Sequence, residues 1–287
     1  MEQKVRKQYL VLFVSVVSVS TAAIWIKLLS DVPSPSIAFW RMLTSSLFIA
    51  PVYFQKQLGS LSRKELLLSI LSAFFLAGDF TLWTLSLKFT SVASSIVLVA
   101  ISPLFIMFFS LVFLRKKPET KDIISTVIAI FGIILIGSSD LNLAANSKNL
   151  MGDLLATIAA ASIAGYLMIG QKVRQTVGTA NYIAILYPAT AFFLIFPVLF
   201  TDSPLIGFSN KDYLYLVCLG LIPQLIGHTG FSYALKKVPA FVVSLSILFE
   251  PVLSIIWAFL LLSEGLTLKQ ISGGILVLFA LYNSIKR

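Results

Sequence analysis

Ten times along this chain of 287 residues an apolar run of about 15 to 23 residues ends in a polar connection. As an α-helix, rising about 1.5 Å per residue, such a run crosses the ~30 Å hydrocarbon core of a bilayer. Lipid offers the backbone no hydrogen-bond partner, so a helix that closes its own bonds is the structure this pattern allows. The first five runs are Tyr9–Leu29, Ser36–Phe54, Glu65–Leu87, Val92–Leu114 and Ile123–Gly137. The second five are Gly152–Lys172, Asn181–Phe200, Tyr213–Leu235, Ala240–Leu262 and Leu268–Ile285. Composition agrees, with 58% hydrophobic and 12% charged residues, about half the charged share of a soluble domain.

The net charge of +10 would suggest nucleic acid on a soluble chain, but here the basic residues sort by membrane side. With the N-terminus placed in the cytoplasm, sixteen of the 22 Lys and Arg residues fall on cytoplasmic segments and five on external ones. The sixteen include Arg115-Lys116-Lys117, Lys172 with Arg174, and Lys236-Lys237, while Arg41 lies within the second span. Ten helices with both termini cytoplasmic are therefore expected. The basic N-terminus, Met1–Lys7, leads into a run that continues through Ile24, Trp25 and Ile26 without a polar break. It reads as a retained span rather than a cleaved signal peptide.

The longest polar loop, Ser138–Lys148, divides the chain into residues 1–145 and 146–287. Displacing the first half by 148 residues sets Lys88 on Lys236, Pro103 on Pro251 and Lys121 on Lys269 without a gap. Five spans per copy is an odd number, so the second copy is expected to be inverted in the membrane. The charges follow: Arg115-Lys116-Lys117-Pro118 is replaced by Ser263-Glu264-Gly265-Leu266, which carries no base. Inverted repeats with interrupted helices are a recurring transporter plan, with the binding site near the bilayer midplane.

Few ionisable side chains lie deep in these spans: Asp79, His228 and Glu250, with Arg41 nearer the outer surface. A charge in that position is expensive and is best kept facing a protein interior or a wet cavity. Ser72, Phe75, Asp79, Trp83 and Ser86 share one helical face, as do Gln224, His228 and Phe231. Each face mixes a polar anchor with aromatic groups, which suits a small organic molecule. Asp79, Trp83, Gln224, His228 and Glu250 are thus the candidates for a substrate cavity or for coupling. The plainer reading of the acids and the histidine, as hydrogen-bond partners between helices, stands beside it. Pro103 and Pro251 interrupt otherwise continuous runs and are candidate pivots. Arg41 is expected to be a structural residue or an outer-vestibule charge, its head reaching outward. Ala156, Ala160 and Ala164 mark a close helix contact.

The absences narrow the class. One cysteine and one histidine exclude a disulfide within the chain and any metal site built on several of these residues. No phosphate-binding G-x-x-x-x-G-K-[ST] loop, H-E-x-x-H or G-x-S-x-G motif occurs. Neither an enzyme nor a cofactor is expected.

Several segments together resemble the drug/metabolite transporter superfamily, in particular permeases built from two EamA-type five-helix repeats. They are Pro35-Ser36-Ile37-Ala38-Phe39-Trp40-Arg41, then Leu82-Trp83-Thr84-Leu85-Ser86-Leu87-Lys88-Phe89-Thr90-Ser91 and the proline-bearing fourth helix. Gly152-Asp153-Leu154-Leu155 follows, then Gln224-Leu225-Ile226-Gly227-His228, and Leu248-Phe249-Glu250-Pro251 running to Glu264. The chain departs from the family pattern at Leu114-Arg115-Lys116-Lys117, where an acidic residue is usual, and it lacks the Trp-Gly pair near Val19-Ser20. The resemblance implies a secondary transporter of small, often amino-acid-like metabolites, an exporter working by alternating access in a cytoplasmic membrane. It implies a cavity lined by helices one, three, four, six, eight and nine. Partners expected on this reading are a small-molecule substrate and the lipid bilayer, with no nucleic acid, in a monomer or homodimer. A passive facilitator or channel, or a membrane receptor without flux, is the alternative.

Overall fold

The computed structural model describes residues 2–51, 61–138, 147–262 and 265–285. All regular structure in these residues is helical. In chain order the helices are α1 (Glu2–Ser20), α2 (Ala22–Leu28), α3 (Ser34–Ile49), α4 (Arg63–Ser86), α5 (Val92–Val99), α6 (Ser102–Leu114) and α7 (Thr120–Gly137). The second half holds α8 (Ser147–Val173), α9 (Thr179–Phe200), α10 (Asn210–Leu219), a π-helical segment (Gly220–His228), α11 (Thr229–Ala234), α12 (Ala240–Ile247), α13 (Glu250–Leu262) and α14 (Leu268–Ile285). Among the described residues nine continuous helical stretches are long and apolar enough to cross a membrane. The second expected span begins as α3, and its expected end at Phe54 lies outside the described residues. So do Glu264 and most of the Ser138–Lys148 loop.

Local chemistry sets the helix ends. Ser62 caps α4 by accepting from the Glu65 N–H, while the Glu65 carboxylate accepts from the Ser62 N–H. Ser209 and Asp212 do the same for α10, so two helices begin with a reciprocal capping box. Ser91 caps α5. The interruptions also have causes. Pro103 and Pro251 carry no N–H to return to the carbonyls four residues earlier, those of Val99 and Ile247. There the chain makes a tight turn, with the Leu248 and Phe249 N–H groups donating to Leu245 and Ser246. Pro223 lies inside the π segment, where the wider turn accommodates it.

The two halves are the same structure written twice. Displacing α5, α6 and α7 by 148 residues, Val92 to Ala240, reproduces the bounds of α12, α13 and α14. The same shift carries α4 onto α10, the π segment and α11 taken together. The repeats interlock: α4 packs on α8, α1 on the π segment and α11, α3 on α9, and α7 on α14. α12 is buried on every side, with Ala240 through Ser246 all enclosed, whereas side chains such as Phe113, Phe200 and Leu268 stand exposed on the outer face. The outer apolar belt is what a lipid solvent requires.

Close approach of α7 and α14 depends on two glycines. A Cβ on Gly132 would lie 2.7 Å from the Gly273 carbonyl oxygen and 2.9 Å from Val277. Gly132→Val should therefore destabilise the protein by about 1–3 kcal/mol through overpacking, read as a lower melting temperature in detergent. Gly178→Ala, where an added Cβ meets nothing within 4 Å, should leave that temperature unchanged.

Candidate functional site

The broken helices open a cavity of about 400 Å³ in the middle of the bundle. Its wall includes Arg41 from α3, Asp79 and Trp83 from α4, His228 at the end of the π segment, and Glu250 and Pro251 at the start of α13. Both repeats thus contribute charge. The rest of the wall is apolar, supplied by side chains such as Val19, Ile96, Ile133 and Ile163. From the middle, the cavity extends toward one end of the bundle, where Ile26, Gly137, Ala258 and Gln270 line it. The opposite end is shut. There Ser102 and Ser244, one from each repeat and both buried, lie 3.1 Å apart, oxygen to oxygen, in a hydrogen bond.

Asp79 is 7% exposed and Arg41 8%. Arg41, expected as a structural residue or an outer-vestibule charge, is buried and forms part of the cavity wall. Its backbone explains the placement: the Arg41 carbonyl accepts from Ser45 Oγ, which also donates to the Gly220 carbonyl at 2.7 Å. This pins α3 to the π segment and turns Arg41 toward the repeat interface. The Arg41 Nε donates to Gln224 Oε1 at 2.8 Å. Gln224 is fully buried and lies behind the wall rather than in it. Its carbonyl accepts from the Tyr187 hydroxyl, which also bonds the Thr229 hydroxyl. Asp79, Glu250 and Arg41 sit close enough to feel one another's charge.

Aromatic groups hold the ionisable ones. The Arg41 guanidinium lies 4.7 Å from the centre of the Phe80 ring, a cation–π contact. Phe80 also meets His228 edge to face at 5.9 Å, and His228 meets Phe231 at 5.5 Å. Phe80 was not legible as a site residue, because one more phenylalanine in an apolar helix carries no mark. The adjacent Asp79 was the only pointer.

The two polar faces of the sequence divide in space. On α4, Asp79 and Trp83 line the cavity, whereas Ser72 bonds the Tyr182 hydroxyl and the Tyr166 carbonyl in the packing against α8 and α9. Ser86 bonds Ser95. Pro251 is in the wall; Pro103 is buried away from it. Of the tryptophans outside the cavity, Trp40 donates to the Leu205 carbonyl and Trp257 to the Ser20 hydroxyl, while Trp25 packs its ring 6.0 Å from that of Tyr215. Ala156, Ala160 and Ala164 are fully buried on α8. Asp153 Oδ1 accepts from both Thr90 and Ser94, and a Cβ on Gly152 would lie 2.6 Å from the Thr90 nitrogen. The segments Thr90-Ser91 and Gly152-Asp153 therefore form the clasp between the repeats. No group of histidine, cysteine and acidic residues able to hold a metal occurs among the described residues.

Two interlocked helical repeats around a charged cavity, open at one end and shut at the other, define a polytopic membrane transporter. The model of the EamA-like transporter family matches residues 6–138 and 150–285, once per repeat, and the chain belongs to that family. Among its relatives, an uncharacterized transporter of Archaeoglobus fulgidus is 24% identical over 280 residues, 96% of each chain. A second from the same organism is 25% identical over 195 residues, 67% of each. One solved crystal structure superimposes with a TM-score of 0.83 over 97% of this chain and 96% of its own, at 16% identity, which shows a shared fold.

The cavity's one-sided opening can be checked by labelling. In a Cys218→Ser background, Ala258→Cys should react rapidly with a water-soluble maleimide. Ser244→Cys, on the shut side, should stay unlabelled until the protein is denatured.

Proposed function

We propose that this chain is a secondary transporter that carries a small, amino-acid-like metabolite by alternating access around the central cavity. The observation that carries the reading is the cavity itself, with its charged groups drawn from both repeats and only one end open. An apolar pocket with a few convergent polar groups is the usual form of a small-molecule site. Asp79 and Glu250 offer acceptors for an ammonium group, and Phe80, Trp83 and Phe231 offer an apolar wall for a side chain.

On the charge bias of the loops, the proposed orientation has the basic end in the cytoplasm and the open end of the cavity outside. With an inverted second repeat, the opposite state follows by exchanging the conformations of the halves. The Ser102–Ser244 contact maps, at the 148-residue displacement, onto Glu250 and Ile96. Both of these line the open cavity. On closing that end, Glu250 and Ile96 approach while Ser102 and Ser244 part, with Pro103 and Pro251 at the pivots. Glu250, which moves between an open and a closed setting in this step, is the candidate for coupling to protons. The direction proposed is outward, as the family resemblance implies, and the acting unit is a monomer or homodimer.

The experiment begins with a metabolite-resistance screen of expressing cells to supply a substrate. Its uptake is then measured into proteoliposomes with and without a pH gradient. Asp79→Asn and Glu250→Gln should each lower gradient-driven uptake about tenfold or more, since a buried charged hydrogen bond is worth about 1.5–3 kcal/mol, while the protein still elutes as a folded species. Full transport by both variants would remove these acids from the mechanism. Counterflow stimulation should also appear; its absence would favour a channel.

Oxidising a Ser102→Cys/Ser244→Cys pair should stop turnover, and reduction should restore it. Pro103→Ala and Pro251→Ala should slow turnover more than they weaken substrate binding in the same liposomes.

A further inference from the structure

The deep end of the site is short of hydrogen-bond acceptors. Six buried side-chain polar atoms lack a partner among the described residues, and three belong to Arg41, Gln224 and His228. They are Arg41 Nη2, Gln224 Nε2 and His228 Nδ1. Arginine has no acceptor atom, so the Gln224 atom that receives Arg41 Nε must be the amide oxygen. The amide nitrogen is thereby left as an unfilled donor. Arg41 Nη2 is a donor by necessity, and it bonds neither Asp79 nor Glu250. Leaving such donors buried and unmade is costly. Arg41 is more than nine-tenths buried and contributes to the cavity wall, and its unpartnered Nη2 is buried within that wall.

We propose that Arg41 binds the carboxylate of the transported molecule, so that the site takes a carboxylic acid with an apolar body and selects against the matching amide, which lacks the carboxylate charge. A guanidinium whose Nε is already held presents its remaining edge in a fixed plane, which suits the two oxygens of a carboxylate. The Arg41–Phe80 contact fixes that plane from the side. A carboxylate brought in alone would add negative charge to a site that already holds Asp79 and Glu250. The ligand's ammonium offsets it, and here the inference rests on the amino-acid-like reading above. The two poles then lie on different groups: carboxylate on Arg41 from the first repeat, ammonium toward Asp79 and Glu250. The rest of the cavity, mostly apolar, holds the side chain.

The test is isothermal titration calorimetry on the purified full chain with four probes: phenylalanine, phenylalaninamide, leucine and leucinamide. A fifth, 3-phenylpropionate, keeps the carboxylate and lacks the ammonium. At least one amino acid should bind wild-type protein about 10- to 100-fold more tightly than its own amide, the range expected for a charged hydrogen bond. Arg41→Gln should erase that preference. Arg41→Lys keeps the charge and loses the fork; it should weaken amino-acid binding and leave the weak amide binding as it was. This conservative variant also decides the question should Arg41→Gln fail to fold. Amides that bind as tightly as acids, acids that bind both variants as wild type, or no binding by any probe would overturn the proposal. Arg41-dependent binding of 3-phenylpropionate but not of the amino acids would keep the anchor and sink the amino-acid reading. Amides binding as well as acids, with loss of both in Asp79→Asn, would do the reverse.

Discussion

Lipid cannot hydrogen-bond a peptide group, and the architecture follows from this. Along α4, α7, α8 and α14 the backbone satisfies itself within one continuous helix. Where the chain breaks that rule it does so away from lipid. The turns between α5 and α6 and between α12 and α13 lie inside the bundle, and Ala100, Leu248 and Phe249 in them are buried. Val99 and Ile247, whose carbonyls lose their helical partner to proline, both line the cavity. The site exists because two helices were interrupted where only protein or a bound molecule could complete them.

Much of this was legible in the sequence. Ala240–Leu262 and Leu268–Ile285 are the observed bounds of the ninth and tenth spans, and the 148-residue displacement holds to the residue over α5–α7 and α12–α14. Apolar run length and proline act locally, so one sequence shows them directly. Arg41 was not legible in the same way. Counting residues from the start of its span gives depth, and at that depth a long cation is free to reach outward. Its actual course is set by Ser45 bonding the Gly220 carbonyl, a contact between residues 175 apart in the chain. The π segment was hidden for a related reason. Pro223 announces an irregularity, but whether the helix kinks or widens depends on what packs against it, here α1 and α3.

The repeat is nearly symmetric in backbone and far from symmetric in chemistry. At the 148-residue displacement Phe80 falls on His228 and Trp83 on Phe231, and all four line the cavity. The charged positions have no such partners. Asp79 falls on Gly227, Arg41 on Ala189, and Glu250 on Ser102. The symmetric part is what an exchange of two states needs, since each half must be able to adopt the other's conformation. The asymmetric part is what recognition needs. A site with equal charges in both repeats would read a ligand and its reversed orientation alike, whereas the proposed site, with Arg41 on one repeat and Glu250 on the other, would distinguish its two ends. Glu250 marks where the two requirements meet. Its backbone belongs to the shared scaffold, at the first turn of α13 where Ser102 begins α6. Its carboxylate has no counterpart in the other half, and the proposed function gives it to the ligand.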